Sequence, residues 1–137
     1  MKKGRMLLLC LLTGAICAGC GAGGADKATY HHISPEAAME MMRRDGCLIV
    51  DVRRQDEYDA GHIPGAVCVP NEEIQMEHVA DLPDKGQLLL VYCRSGRRSR
   101  AAAGKLVELG YTNIYEFGGI LDWPGDVVTD EKGGDRT

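Results

Sequence analysis

Residues 88–100 read Leu88-Leu89-Leu90-Val91-Tyr92-Cys93-Arg94-Ser95-Gly96-Arg97-Arg98-Ser99-Arg100. The first five form the most hydrophobic run outside the N-terminal segment, which predicts a central strand covered on both faces. A thiol closes that run, and four arginines follow within seven residues, around a glycine. The alanines from Ala101 onward, with Leu106 and Leu109 at helical spacing and Gly110 as the stop, predict a helix whose N-terminus faces the loop. Strand, glycine-containing loop and helix N-terminus together make an anion site, because successive amide N–H groups converge and the helix dipole favours negative charge. The same field stabilises a thiolate, so Cys93 is the candidate nucleophile. Clustered arginines repel one another unless an anion lies among them.

Outward from this segment the chain alternates short strands and helices. Tyr30–Ile33 predicts a first short strand. Ser34-Pro35-Glu36 is a helix start, with a capping serine, proline in the first turn and an acid near the positive dipole end. Ala38, Met39 and Met42 give that helix one apolar face, and Gly46 ends it. Cys47-Leu48-Ile49-Val50 and Val67-Cys68-Val69 are further strands. Asn71-Glu72-Glu73 opens a helix on which Glu72, Glu73 and Glu77 form a solvated face. Thr112–Phe117 is a last strand, and Ile120–Trp123 a short helical turn. This alternation predicts an α/β fold: a small, open, mostly parallel sheet with helices on both faces, its ligands beyond the carboxyl ends of the strands.

The chain has 137 residues, 26% charged and 45% hydrophobic, with formal charge −4. That length holds one domain. The acidic balance excludes a dedicated nucleic-acid binder. Lys2, Lys3 and Arg5 precede an apolar run from Met6 to Ala18, the layout of a secretory signal over residues 1–19. Thirteen residues are too few for a spanning helix, which needs roughly 20. Cys17-Ala18-Gly19-Cys20 resembles a bacterial lipobox in its Ala-Gly pair but carries Cys17 where leucine is usual. Lipidation of Cys20 is expected, with residues 20–28 as attachment site and tether, a domain over 29–129 and a polar tail over 130–137. Without residues 1–19 the net charge is −7, so membrane attachment on the outer face of the cell must come from acyl chains. Cys47, Cys68 and Cys93 then remain. An odd number is no disulfide framework, and no spacing suggests zinc. Cys47 and Cys68, set among aliphatic residues, read as buried small apolar side chains.

Two multi-residue motifs resemble the rhodanese family of sulfurtransferases. One is Cys93-Arg94-Ser95-Gly96-Arg97-Arg98-Ser99. The other runs through Ile49-Val50-Asp51-Val52-Arg53, Glu57-Tyr58 and Gly61-His62-Ile63-Pro64-Gly65-Ala66 to Val69-Pro70. Gly118-Gly119 and Trp123 fit as well, so the similarity spans about Tyr30 to Val127. The resemblance implies a five-stranded, mostly parallel sheet and a Cys93 that takes a sulfane sulfur from thiosulfate, a persulfide or a polysulfide. The resulting persulfide passes the sulfur to cyanide or a thiol by a ping-pong route, and the acceptor thiol belongs to a small molecule or a protein. Arg94, Arg97 and Arg98 would hold the dianion and the loop from Arg94 to Ser99 the persulfide; no metal or organic cofactor is required. Asp51, Arg53 and His62 read as supports that steady the loops. His31 and His32, adjacent on a strand, point to opposite faces, and Trp123 reads as packing. Two alternatives stay open. The domain could carry or sense a persulfide without turnover, or act as a phosphatase or arsenate reductase. The phosphatase loop, with five residues between Cys and Arg, is one residue longer than the Cys93–Arg98 spacing.

Overall fold

The computed structural model describes residues 29–75 and 79–130. Five parallel strands form one sheet: β1 (His31–His32), β2 (Cys47–Asp51), β3 (Val67–Cys68), β4 (Leu88–Cys93) and β5 (Ile114–Gly119), in the order β1-β5-β4-β2-β3. The most apolar strand, β4, is the middle one, as its composition requires. Its register is Cys47 to Leu88 through Asp51 to Tyr92 against β2, and Leu89 to Ile114 through Val91 to Glu116 against β5.

Side chains alternate across this sheet. Leu89, Val91 and Cys93 face the helix α3 (Arg97–Glu108), where they pack with Ala102, Ala103, Leu106 and Ile114. Leu90 and Tyr92 face the opposite layer, with Ala38 of α1 (Pro35–Met42), Ile63, Ala66 and Phe117. Helices therefore cover both faces, as expected, and all five strands are parallel rather than most of them. Ser34 caps α1 by accepting from the Ala37 amide at 3.2 Å, and Pro35 takes the first position.

Two sequence expectations change. The helix expected from Asn71 is a single 3-10 turn, Asn71–Glu73. Ile74 leaves that turn to bury itself in the α3-side core, ending the pattern that would extend it; Glu77 lies outside the described residues. Cys47 and Cys68 are only partly buried, because each stands near an end of its strand. The signal, Cys20 and the tether likewise lie outside the described residues, as does the tail beyond Asp130. Trp123 does pack, its ring 5.6 Å from that of Phe117.

Candidate active site

The site sits where β4 ends. Only Arg94, Ser95 and Gly96 separate Cys93 from the first residue of α3. Turning the chain so sharply requires a left-handed residue, and Gly96 supplies it with φ of 101°. Its amide then points back at the strand end and donates to Cys93 Sγ at 3.0 Å. The opposite wall is Gly118-Gly119 of β5. At Gly119 a Cβ would overlap the Arg94 carbonyl, so the loop can rest on β5 only because this residue has no side chain. Leu121 N donates to that same carbonyl at 3.2 Å.

Cys93 is 1% exposed. Burial opposes its ionisation, yet the Ser99 hydroxyl and the amides of Ser99, Gly96 and Ser95 outweigh burial and hold the thiol below its ordinary value. The dipole of the 12-residue α3 acts in the same direction. A thiolate nucleophile inside a ring of amide donors is what this arrangement supports chemically.

The four arginines divide into different roles. Arg94 and Arg97 are exposed and have no acidic partner among the described residues. Arg98 differs from the sequence expectation of an anion ligand. Its guanidinium grips Glu57 with two hydrogen bonds, Nη1 at 2.6 Å and Nη2 at 2.9 Å, so its charge is already matched. Glu57 also accepts from Arg54 N at the start of α2 (Gln55–Ala60), so Arg98 ties the starts of two helices together. Ser99 is not on the loop surface either. It is fully buried beneath Cys93, Oγ lying 3.5 Å from Sγ.

The expected supports form a second cluster at the same sheet end. Arg53 holds Asp51 through Nη2 at 2.6 Å and Nε at 3.0 Å, and donates to Gly61 O at 2.6 Å. Ile63 N donates to Tyr92 Oη, which brings the turn after Gly61 onto β4. His62 Nδ1 lies 2.9 Å from Tyr58 O, its ring stacks on Tyr58 at 3.7 Å, and its backbone pairs with Val128. These contacts occupy His62 in holding α2 and the C-terminal segment together. His31 stacks on Tyr115 and His32 meets Glu116, on opposite faces of the sheet edge.

Sequence reasoning missed Glu116 altogether and read Glu57 only as part of a motif, without its ion pair to Arg98. Glu116 is fully buried, accepting from Ser99 Oγ at 2.6 Å and Gly118 N at 2.8 Å. An acid inside the last strand, Ile114-Tyr115-Glu116-Phe117, was the available signal, since unpaired carboxylates are rarely buried.

A buried thiol at the tip of a central parallel strand, facing an amide-lined basic loop, is a geometry suited to holding a small anion beside a nucleophilic cysteine. The chain belongs to the rhodanese-like domain family, whose profile matches residues 34–125. Thiosulfate sulfurtransferase PspE of Escherichia coli is 37% identical over 73 residues, covering 53% of this chain and 70% of the relative. Thiosulfate sulfurtransferase GlpE of Pseudomonas entomophila is 38% identical over 107 residues, 72% of this chain and 93% of the relative. Among solved structures, a rhodanese with anions from E. coli is similar with TM-score 0.55 and 34% identity, over 60% of this chain and 96% of that one. A human single-domain sulfurtransferase has TM-score 0.60 and 28% identity, over 67% and 93%.

Proposed function

We propose that this protein is a sulfurtransferase of the thiosulfate type, working through a persulfide on Cys93. The Cys93 thiolate attacks the outer sulfur of thiosulfate. A new S–S bond forms at Sγ, the S–S bond of thiosulfate breaks, and sulfite leaves with the electron pair. Arg94 and Arg97 meet the dianion and offset the charge gathering on sulfite. Arg98 acts at one remove, by fixing the start of α3 against α2. The persulfide then lies among the amides between Arg94 and Ser99. Cyanide or a thiolate attacks the outer sulfur and releases Cys93 as the thiolate, which gives ping-pong kinetics. The observation carrying this reading is the Gly96 N–H at 3.0 Å from a buried Cys93 Sγ, beside Arg94 and Arg97, which have no acidic partner among the described residues. The names of the relatives support the choice of donor class.

Incubation with thiosulfate should leave Cys93 about 32 Da heavier, one sulfur atom. Cyanide should strip that mass, and Cys93→Ser should never acquire it. Undiminished thiosulfate turnover in Cys93→Ser would overturn the assignment. A carrier without turnover would load equally well and then transfer quickly only to a protein thiol.

For location, we propose export and lipid attachment at Cys20, on the strength of the basic, apolar and Ala18-Gly19-Cys20 segments. Among the described residues no helix is long and apolar enough to cross a membrane. Labelling of the full chain by a fatty-acid analogue, lost in Cys20→Ala, tests this; an unlabelled secreted product would contradict it.

A further inference from the structure

The Ser99 hydroxyl carries one hydrogen and lies within reach of several acceptors. Glu116 Oε1 is the nearest at 2.6 Å, followed by Gly96 O at 3.0 Å, Gly118 O at 3.2 Å and Cys93 Sγ at 3.5 Å. The hydrogen goes to one of them at a time. While Glu116 is a carboxylate it is the strongest acceptor and takes that hydrogen. Ser99 Oγ is then left to accept from the thiol, so the Cys93 proton faces a connected path to the carboxylate. If Glu116 gains a proton, its own O–H can donate to Ser99, and the serine hydrogen is free to turn to the sulfur. A Cys93 thiolate that accepts the Ser99 hydrogen is therefore matched by a proton passed on to Glu116.

From this geometry we infer that Glu116 is a positioning residue for Cys93, acting through the Ser99 hydroxyl as acceptor of the thiol proton. The transfer balances without any other reactant. The Sγ–H proton moves to Ser99 Oγ as the original serine proton moves to Glu116 Oε1, leaving a thiolate, an alcohol and a carboxylic acid. No electrons change hands. The outer oxygen of Glu116, Oε2, meets His32 Nδ1 at 2.6 Å, and the His32 side chain is 64% exposed, which joins the buried acid to solvent. The groups around Glu116 are few. His32 faces it from β1, Ser99 from α3, and Cys93 stands beyond Ser99 at the end of β4. Glu36, Arg100 and Asp122 line the cleft of about 440 Å³ onto which His32 opens.

This inference deepens the sulfurtransferase reading and rests on it for its biological purpose, but its test does not need sulfur transfer. The rate of Cys93 alkylation in the full chain, read by mass spectrometry across pH, gives the ionisation of the thiol directly. Glu116→Gln keeps a carbonyl oxygen for Gly118 N–H and Ser99 O–H and an amide to face His32, while removing the charge and the ability to take a proton. The alkylation midpoint should rise by about one pH unit, a tenfold loss of rate at pH values below it. Ser99→Ala should raise the midpoint by a similar amount. In a Ser99→Ala background, Glu116→Gln should then produce less than half its former shift, because the connecting hydroxyl is gone. An unchanged midpoint in Glu116→Gln, or the full shift in the Ser99→Ala background, would overturn the inference. A normal shift in alkylation with no thiosulfate turnover would instead sink the sulfurtransferase reading and leave this one standing.

Discussion

Cys93 and Cys68 both stand at the carboxyl end of a parallel strand, β4 and β3, with β2 between them. Both are withdrawn from solvent to some degree, Cys93 the more completely. Their acidities nevertheless move apart. At Cys68 burial, reinforced by the negative charges of Asp51 and Glu73, pushes the thiol up to about 11 despite the nearby Arg53. Its Sγ donates to the Arg53 carbonyl at 3.7 Å, an interaction available only to the protonated form. At Cys93 burial acts in the same direction but is overcome by amide and hydroxyl donors. Withdrawal from water does not decide which thiol is a nucleophile; the sign of the dipoles turned toward it does.

The largest expected effect separates the two cysteines in turnover. Cys93→Ser should lower sulfur transfer by about a thousandfold or more, since the covalent intermediate is lost. Cys68→Ser should stay within about twofold of the parent protein. A comparable loss in both would mean that the two strand ends share one function.

Next in size is Gly119→Ala. The added methyl must displace the Arg94 backbone, at a cost of at least ~2 kcal/mol in a urea melt. Because the displaced segment carries the amides that face Sγ, Cys93 should also alkylate more slowly, while Cys68 keeps its reactivity. Equal slowing of both thiols would point to general loosening of the sheet instead.

A smaller effect belongs to Glu57 and Arg98. The hydrogen bond from Arg98 outweighs burial and holds the Glu57 carboxyl at about 2, below its ordinary 4.5. Its folded-state value is the depressed one, so the stabilisation is complete above about pH 4.5 and disappears as the pH falls toward 2. Glu57→Gln should therefore cost about 1 kcal/mol at pH 7, modest because the pair is partly exposed. That gap should close progressively between pH 4.5 and 2. A gap independent of pH would show that the charge on Glu57 contributes nothing.

The comparison also explains what could be read from the chain in advance. The strand at residues 88–93, the loop glycine and the helix after it follow from local pattern, and Cys93 stood out because its arginines are adjacent in sequence. The two-face layering followed from runs such as Leu88–Tyr92. What the pattern did not reveal is pairing across long separations. Arg98 looked like an anion ligand until its partner 41 residues away, Glu57, was in place. Ser99 looked like a loop residue, whereas the turn of α3 puts it under the thiol, against Glu116. The 3-10 turn at Asn71 stayed short because burial of Ile74 overrode local preference.

The pH dependence of alkylation at Cys93 and Cys68, followed together in one sample of the full chain by mass spectrometry, reads both thiols under identical conditions. Cys93 should reach half its limiting rate below the ordinary thiol value of 9, and Cys68 only near 11. If the two curves coincide, or if Cys93 titrates at or above 9, the loop does not make Cys93 a nucleophile.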